Sequence, residues 1–194
     1  MKQTSRVFAV LAAILLLPSL AHAHVGVGET GGFLHGMGHP LSGLDHICAM
    51  VAVGLWASQM GGRAIWAVPL TFVGVMALAG ALGMFGFHVP FVETGIVVSV
   101  LTLGVLIAAA VRLPLSSSMI IVGLFAIFHG YAHGAEMPET ASGLAYAAGF
   151  VAATAFLHAC GIGLGIAIQK LASPAVVRFA GIAIVFCGGY LLLS

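Results

Sequence analysis

Long runs of apolar residues separated by short polar connections dominate this chain. Six of these runs are long enough to be transmembrane helices, at residues 40–59, 64–86, 92–111, 114–133, 142–168 and 176–193. A helix needs about 20 apolar residues to cross the hydrocarbon core, and it pairs all of its own backbone polar groups there. The pattern therefore predicts an all-α integral membrane protein, a polytopic bundle of six transmembrane helices formed by residues 24–194.

The composition supports this prediction and narrows the function. Of the 194 residues 61% are hydrophobic and only 6% are charged, whereas an ordinary soluble domain is about 25% charged. The net charge is +1 and no basic cluster occurs, which argues against nucleic-acid binding. The sequence has no phosphate-binding loop, and its connections are too short for a nucleotide-binding domain.

Residues 1–23 have the features of a secretory signal peptide. Lys2 and Arg6 precede an apolar core, and Ala21-His22-Ala23 resembles a cleavage site. Cleavage there would make His24 the first residue, with an α-amine and an imidazole that can both bind metal. Cleavage after Ala21 is the alternative. His24 is thus either an additional metal ligand or only a residue of the signal junction.

The charged residues alternate between the two ends of the predicted bundle. The connections after the first, third and fifth spans carry the basic residues Arg63, Arg112, Lys170 and Arg178. The segment before the first span and the other connections carry the acidic residues Glu29, Glu93, Glu136 and Glu139. The positive-inside rule then places the basic connections in the cytoplasm. We expect both termini on the external side of a bacterial inner membrane.

Two similar histidine motifs lie at the external end of the predicted spans. Residues 35–39 read His-Gly-Met-Gly-His and residues 129–133 read His-Gly-Tyr-Ala-His. Asp45-His46 follows the first motif and Glu136 follows the second. Ionisable side chains within spans are costly and usually functional. Neutral imidazoles with one or two carboxylates suit a late first-row divalent cation.

Helical geometry gives each motif a stripe of candidate ligands. If one helix runs through the first motif, His35, His39, His46 and Met50 share a face; His129, His133 and Glu136 share a face on the fourth span. We expect Pro40 to start or kink the first span. Asp45 lies beside the first stripe, where it could ligate the metal or orient a ligating imidazole.

Three further side chains are additional candidates, and two of them have a second interpretation. His35 and Met50 belong to the first stripe, but Met50 could equally be a packing residue. His158 lies deeper, on the fifth span. It is either a later station for the cation or a hydrogen-bonded core histidine.

The two motifs resemble the signatures of the HupE/UreJ family of nickel permeases. The first similarity runs from His39-Pro-Leu-Ser-Gly-Leu-Asp45-His46 to Ala57, and the second covers Phe128 to Glu136. The resemblance implies uptake of nickel or, in some members, cobalt, with no permanently bound cofactor. By this similarity the metal-handling positions are His39, Asp45, His46, His129, His133 and Glu136.

Other functional classes remain open from the sequence. Paired histidine motifs also occur in membrane-embedded metalloenzymes, either zinc hydrolases or di-iron enzymes, although no H-E-x-x-H or G-x-S-x-G motif is present. A metal sensor or chaperone is a third interpretation. We expect a permease that is not an enzyme, with a divalent cation and the lipid bilayer as partners. A homo-oligomer is compatible with the sequence.

Overall fold

The computed structural model describes residues 31–137 and 142–193, and these residues form seven α-helices and no strand. The helices are α1 (Gly31–Ser42), α2 (Leu44–Met60), α3 (Ala64–Met84), α4 (Val92–Ala108), α5 (Leu115–Ala135), α6 (Gly143–Leu171) and α7 (Pro174–Leu193). The predicted all-α class is confirmed. The predicted signal peptide, His24, Glu29 and Glu139 lie outside the described residues.

The helices indicate a multi-pass membrane protein. By length and apolar composition α3, α5, α6 and α7 can each cross a membrane, and α1 with α2 passes the same test as a pair bent by 82°, which is the geometry of a broken span or of a re-entrant loop. Helix α4 has only 17 residues, about 25 Å of helix against a hydrocarbon core of roughly 30 Å. Four or five spans are thus found among the described residues, and the predicted total of six stays a prediction.

The first predicted span is interrupted at a different place from the one expected. Pro40 lies inside α1, and the break falls at Gly43, which is extended with φ −86° and ψ 120°. A Cβ atom on Gly43 would lie 2.6 Å from Asp45 Oδ1, so only glycine leaves room for that carboxylate. The expectation of one continuous stripe was therefore wrong. His35 and His39 belong to α1, whereas His46 and Met50 belong to α2.

Helix α2 lies at the centre of the bundle. It packs against α1, α3, α4, α6 and α7, and almost every residue between Ala49 and Gln59 is buried. A cation bound at the first turn of α2 would therefore lie close to the helices that pack around α2.

Close contact between α3 and α5 fixes the position of the second histidine motif. A Cβ atom on Gly130 would overlap the backbone of Met76, and one on Gly134 would overlap the backbone of Gly80. Small residues allow such backbone approach between membrane helices. Because His129 and His133 directly precede these two glycines, the contact with α3 also fixes where the two imidazoles lie, beside His46 of α2.

Candidate metal-binding site

The break at Gly43 brings the last histidine of the first motif close to Asp45 and His46, which follow the motif in the sequence. His39 lies in the last turn of α1, and Asp45 and His46 lie in the first turn of α2. The ring centroids of His39 and His46 are 6.3 Å apart. A straight helix would hold these side chains two turns apart, about 10 Å along its axis.

Asp45 orients the imidazole of His46. Its Oδ1 atom accepts a hydrogen bond from the His46 backbone N–H at 2.8 Å and lies 2.9 Å from His46 Nδ1. A carboxylate acceptor at this position favours the tautomer with a proton on Nδ1, which leaves the lone pair on Nε2. His46 Nε2 is buried and has no hydrogen-bond partner among the described residues.

The second motif presents two fully buried imidazoles to α2. The ring of His46 lies between them, 4.6 Å from the His133 centroid and 4.9 Å from the His129 centroid. His39 completes the group, 4.9 Å from His133. We call His39, His46, His129 and His133 the histidine cluster, and the end of the bundle where it opens the histidine end. The structure thus brings together the two motifs that the sequence separates by about ninety residues.

Most of the buried ring nitrogens in the histidine cluster are available to a ligand. His46 Nε2, His129 Nδ1 and both nitrogens of His133 lack hydrogen-bond partners among the described residues. Buried polar atoms are normally paired, and each one left unpaired costs about 1–3 kcal/mol. Imidazole nitrogens left without partners next to one another are suited to binding a cation.

Carboxylates surround the exposed side of the cluster. Glu136 caps the C-terminus of α5, and its Oε2 atom lies 2.7 Å from His39 Nε2. A cavity of about 200 Å³, partly open to the surface, is lined by His39, Asp45, His46, Glu93 and Glu136 together with uncharged neighbours. Three acidic residues therefore face one opening, and the opening leads to buried imidazoles.

Two of the polar residues at this site were not predicted as site residues. Glu93 was treated only as an external charge, although its place in the first turn of α4 put it at the same end as Glu136. Ser99, also on α4, lies with its Oγ 2.9 Å from His129 Nε2. Only the packing of α4 against α5 shows that contact, because serine is common in membrane helices.

The additional candidates do not join the histidine cluster. His35 is exposed, and its ring lies 6.2 Å from the ring of Tyr146 on α6. Met50 is fully buried in the apolar core, one turn from His46. His158 is buried on α6 beside Phe72, with ring centroids 5.2 Å apart.

The donors form a row and not one closed site. In residues 31–137 and 142–193 no three His, Cys, Asp or Glu side chains are arranged as a ready-made group for a metal ion. A structural zinc site, by contrast, closes four ligands around its ion. The row begins at the exposed pair of His39 and Glu136 and ends at the fully buried His129.

Comparison with known proteins gives one consistent answer. The family described as HupE / UreJ protein matches residues 12–191. Protein HupE of Rhizobium leguminosarum bv. viciae is 50% identical over 190 residues, which is 98% of each chain. No solved structure shows significant similarity. A match along nearly the whole length, including both histidine motifs, means that the chain belongs to the HupE/UreJ family.

Proposed function

We propose that the protein is a permease that imports nickel or cobalt ions across the bacterial inner membrane. Membership of the HupE/UreJ family and the apolar helices support a role in the transport of these metals. The residues proposed to handle the cation are His39, Asp45, His46, His129, His133 and Glu136, joined by Glu93 at the cavity.

The observation that carries this proposal is the position of His46. Its ring centroid lies within 5 Å of the His129 and His133 ring centroids, and all three side chains have buried nitrogens with no hydrogen-bond partner in the part of the chain that the structure describes. Neutral imidazole is a good ligand for Ni²⁺ and its neighbours in the series, whereas Mg²⁺ and Ca²⁺ prefer oxygen ligands. The cluster therefore discriminates against the abundant cations.

Entry begins at the cavity in this proposal. The carboxylates of Asp45, Glu93 and Glu136 line it, and concentrated negative charge raises the local concentration of a divalent cation. His39 and Glu136 are partly exposed, with 31% and 52% of their side-chain surfaces accessible. They are the first groups that an incoming ion meets.

Transfer into the bundle then follows the row of imidazoles. The cation passes from His39 to His46 and His133, and from there to His129. A permeation site must bind strongly enough to capture the ion and weakly enough to release it, usually through several positions. A series of positions along the path, each with an incomplete set of metal ligands, meets this requirement better than one closed site.

The experiment is accumulation of radioactive nickel in cells that lack their own nickel permeases. Cells with the wild-type chain should accumulate nickel, and His46→Ala and His133→Ala should each lower the initial rate by about tenfold or more, because each variant removes a transfer position. His88→Ala is the matched control, since His88 is an exposed histidine in the connection between α3 and α4. Equal accumulation with and without the protein, for nickel, cobalt and other divalent metals, would refute the proposal.

A further inference from the structure

Helix α6 carries a buried stripe that continues beyond the histidine cluster. Tyr146, Phe150, Thr154 and His158 follow one another at four-residue intervals, and each is at most 2% exposed. Side chains at this spacing lie on one face of a helix. The last of them, His158, is the only ionisable side chain of the stripe apart from the tyrosine.

His158 has no partner for either ring nitrogen among the described residues. Nδ1 and Nε2 are both buried and neither makes a hydrogen bond there. A histidine kept only for packing would normally pair at least one nitrogen, because an unpaired buried polar atom is destabilising. Thr154, the nearest hydroxyl along the stripe, donates its hydrogen bond to Met76 Sδ at 3.5 Å.

Two helices place His158 at the same depth below the cluster. On α6, Phe150 stacks against His133 with centroids 5.3 Å apart, and His158 lies eight residues further, about 12 Å along the axis. On α2, Gly54 lies eight residues beyond His46, and a Cβ atom there would overlap the carbonyl oxygen of His158. On α5, by comparison, His129 lies only one turn, about 6 Å, deeper than His133.

The ring of Phe72 is close to the rings of both His129 and His158. This fully buried ring is 5.6 Å from the His129 centroid and 5.2 Å from the His158 centroid. The two histidines are thus neighbours of one aromatic ring on α3, on successive turns of the bundle.

We propose that His158 is a second, deeper binding position for the transported divalent cation, next in the row after His129 and close to the same Phe72 ring. This inference rests on the proposed transport function. The imidazole of His158 is the principal ligand, and the Thr154 hydroxyl and the Met76 thioether supply the neighbouring oxygen and sulfur. Imidazole is the common element of the two positions, so the same metal suits both.

Removal of His158 should slow transport without weakening nickel binding at the histidine cluster. In His158→Leu we expect the initial rate of nickel uptake to fall about tenfold or more, because the ion leaving His129 has no inner ligand. Nickel binding by the purified variant, followed by calorimetry, should keep an affinity within about threefold of the wild type at the cluster. His88→Leu is the matched control and should behave as the wild type. Uptake at the wild-type rate in a normally expressed His158→Leu would overturn the inference.

His158→Cys separates a ligand from a structural residue. A thiolate is a softer ligand than imidazole, so this variant should raise the ratio of cadmium to nickel uptake. A purely structural histidine would lower both rates in the same proportion, and that result would overturn the inference even if His158→Leu folds poorly. Failure of the proposed function has a different signature, because the wild-type chain itself would then accumulate no nickel.

Discussion

Asp45 and His46 form the pair on which metal binding depends most in this account. The Asp45 carboxylate accepts a hydrogen bond from the His46 backbone N–H and lies against His46 Nδ1, which leaves Nε2 buried and without a partner among residues 31–137 and 142–193, in a ring that lies beside those of His129 and His133. The sequence left open whether Asp45 ligates the metal or orients a ligand. The structure shows the contact that orientation requires, and the role itself remains part of the proposal.

Asp45→Asn should therefore weaken nickel binding without unfolding the protein. The amide of asparagine can still accept a hydrogen bond, but it lacks the negative charge that favours a proton on His46 Nδ1. Changes to the partner of a ligating histidine typically cost 10–100-fold in metal affinity, and we expect a loss of about that size here. Calorimetric titration of the purified protein with nickel measures it. A variant that keeps the wild-type affinity would show that Asp45 has no part in the site.

The sequence pattern singled out most of the side chains that meet at the candidate site, but not their arrangement. The histidine motifs stand out because ionisable groups are rare in these apolar runs. Glu93 and Ser99 could not be assigned in the same way, since their contacts depend on how α4 packs beside α5. The break at Gly43 could not be predicted either, because a glycine in a membrane span is usually only a packing residue.

Helices were predicted better than the break between two of them. Helices α3, α5, α6 and α7 begin and end within about three residues of the apolar runs, because apolar length decides where a span lies. Helix α1 was missed except for its last residues, since Pro40 suggested the start of the span. Helix α4 ends at Ala108, just before Ala110 takes a positive φ of 54°.

Packing of α5 on α3 should be sensitive to a single methyl group. Gly134→Ala would place its Cβ against the backbone of Gly80, and we expect a loss of stability of about 1–3 kcal/mol from this overpacking. Gly74→Ala on α3 is the control, because no atom of the described ranges lies within 4 Å of a Cβ there; alanine should leave stability unchanged or raise it slightly. Thermal unfolding in detergent compares the two. Equal melting temperatures would contradict the close contact between α3 and α5.

Orientation in the membrane decides whether the row of imidazoles serves uptake. The histidine end carries Glu93 and Glu136, and the opposite end carries Arg63 and Arg112. The positive-inside rule predicts that the histidine end faces outward. This orientation depends only on which connections carry arginine and lysine, so it is independent of how the helices pack.

Cysteine labelling tests this orientation directly. In a variant with Cys48, Cys160 and Cys187 replaced by alanine, we expect His88→Cys to react with a membrane-impermeant maleimide in intact cells. Ser173→Cys, in the connection between α6 and α7, should react only after the cells are opened. The reverse pattern would place the cluster on the cytoplasmic side and rule out entry through it.

Reconstituted transport is the most direct test of the central claim, that the histidine cluster carries nickel across the membrane. Purified protein in liposomes containing a nickel-sensitive dye should admit nickel along its concentration gradient, while His46→Ala in matched amounts should be slower by about tenfold or more. Magnesium and calcium should not compete at equal concentration, because imidazoles bind them poorly. Nickel entry no faster than into protein-free liposomes, or equal entry through wild type and His46→Ala, would contradict the account.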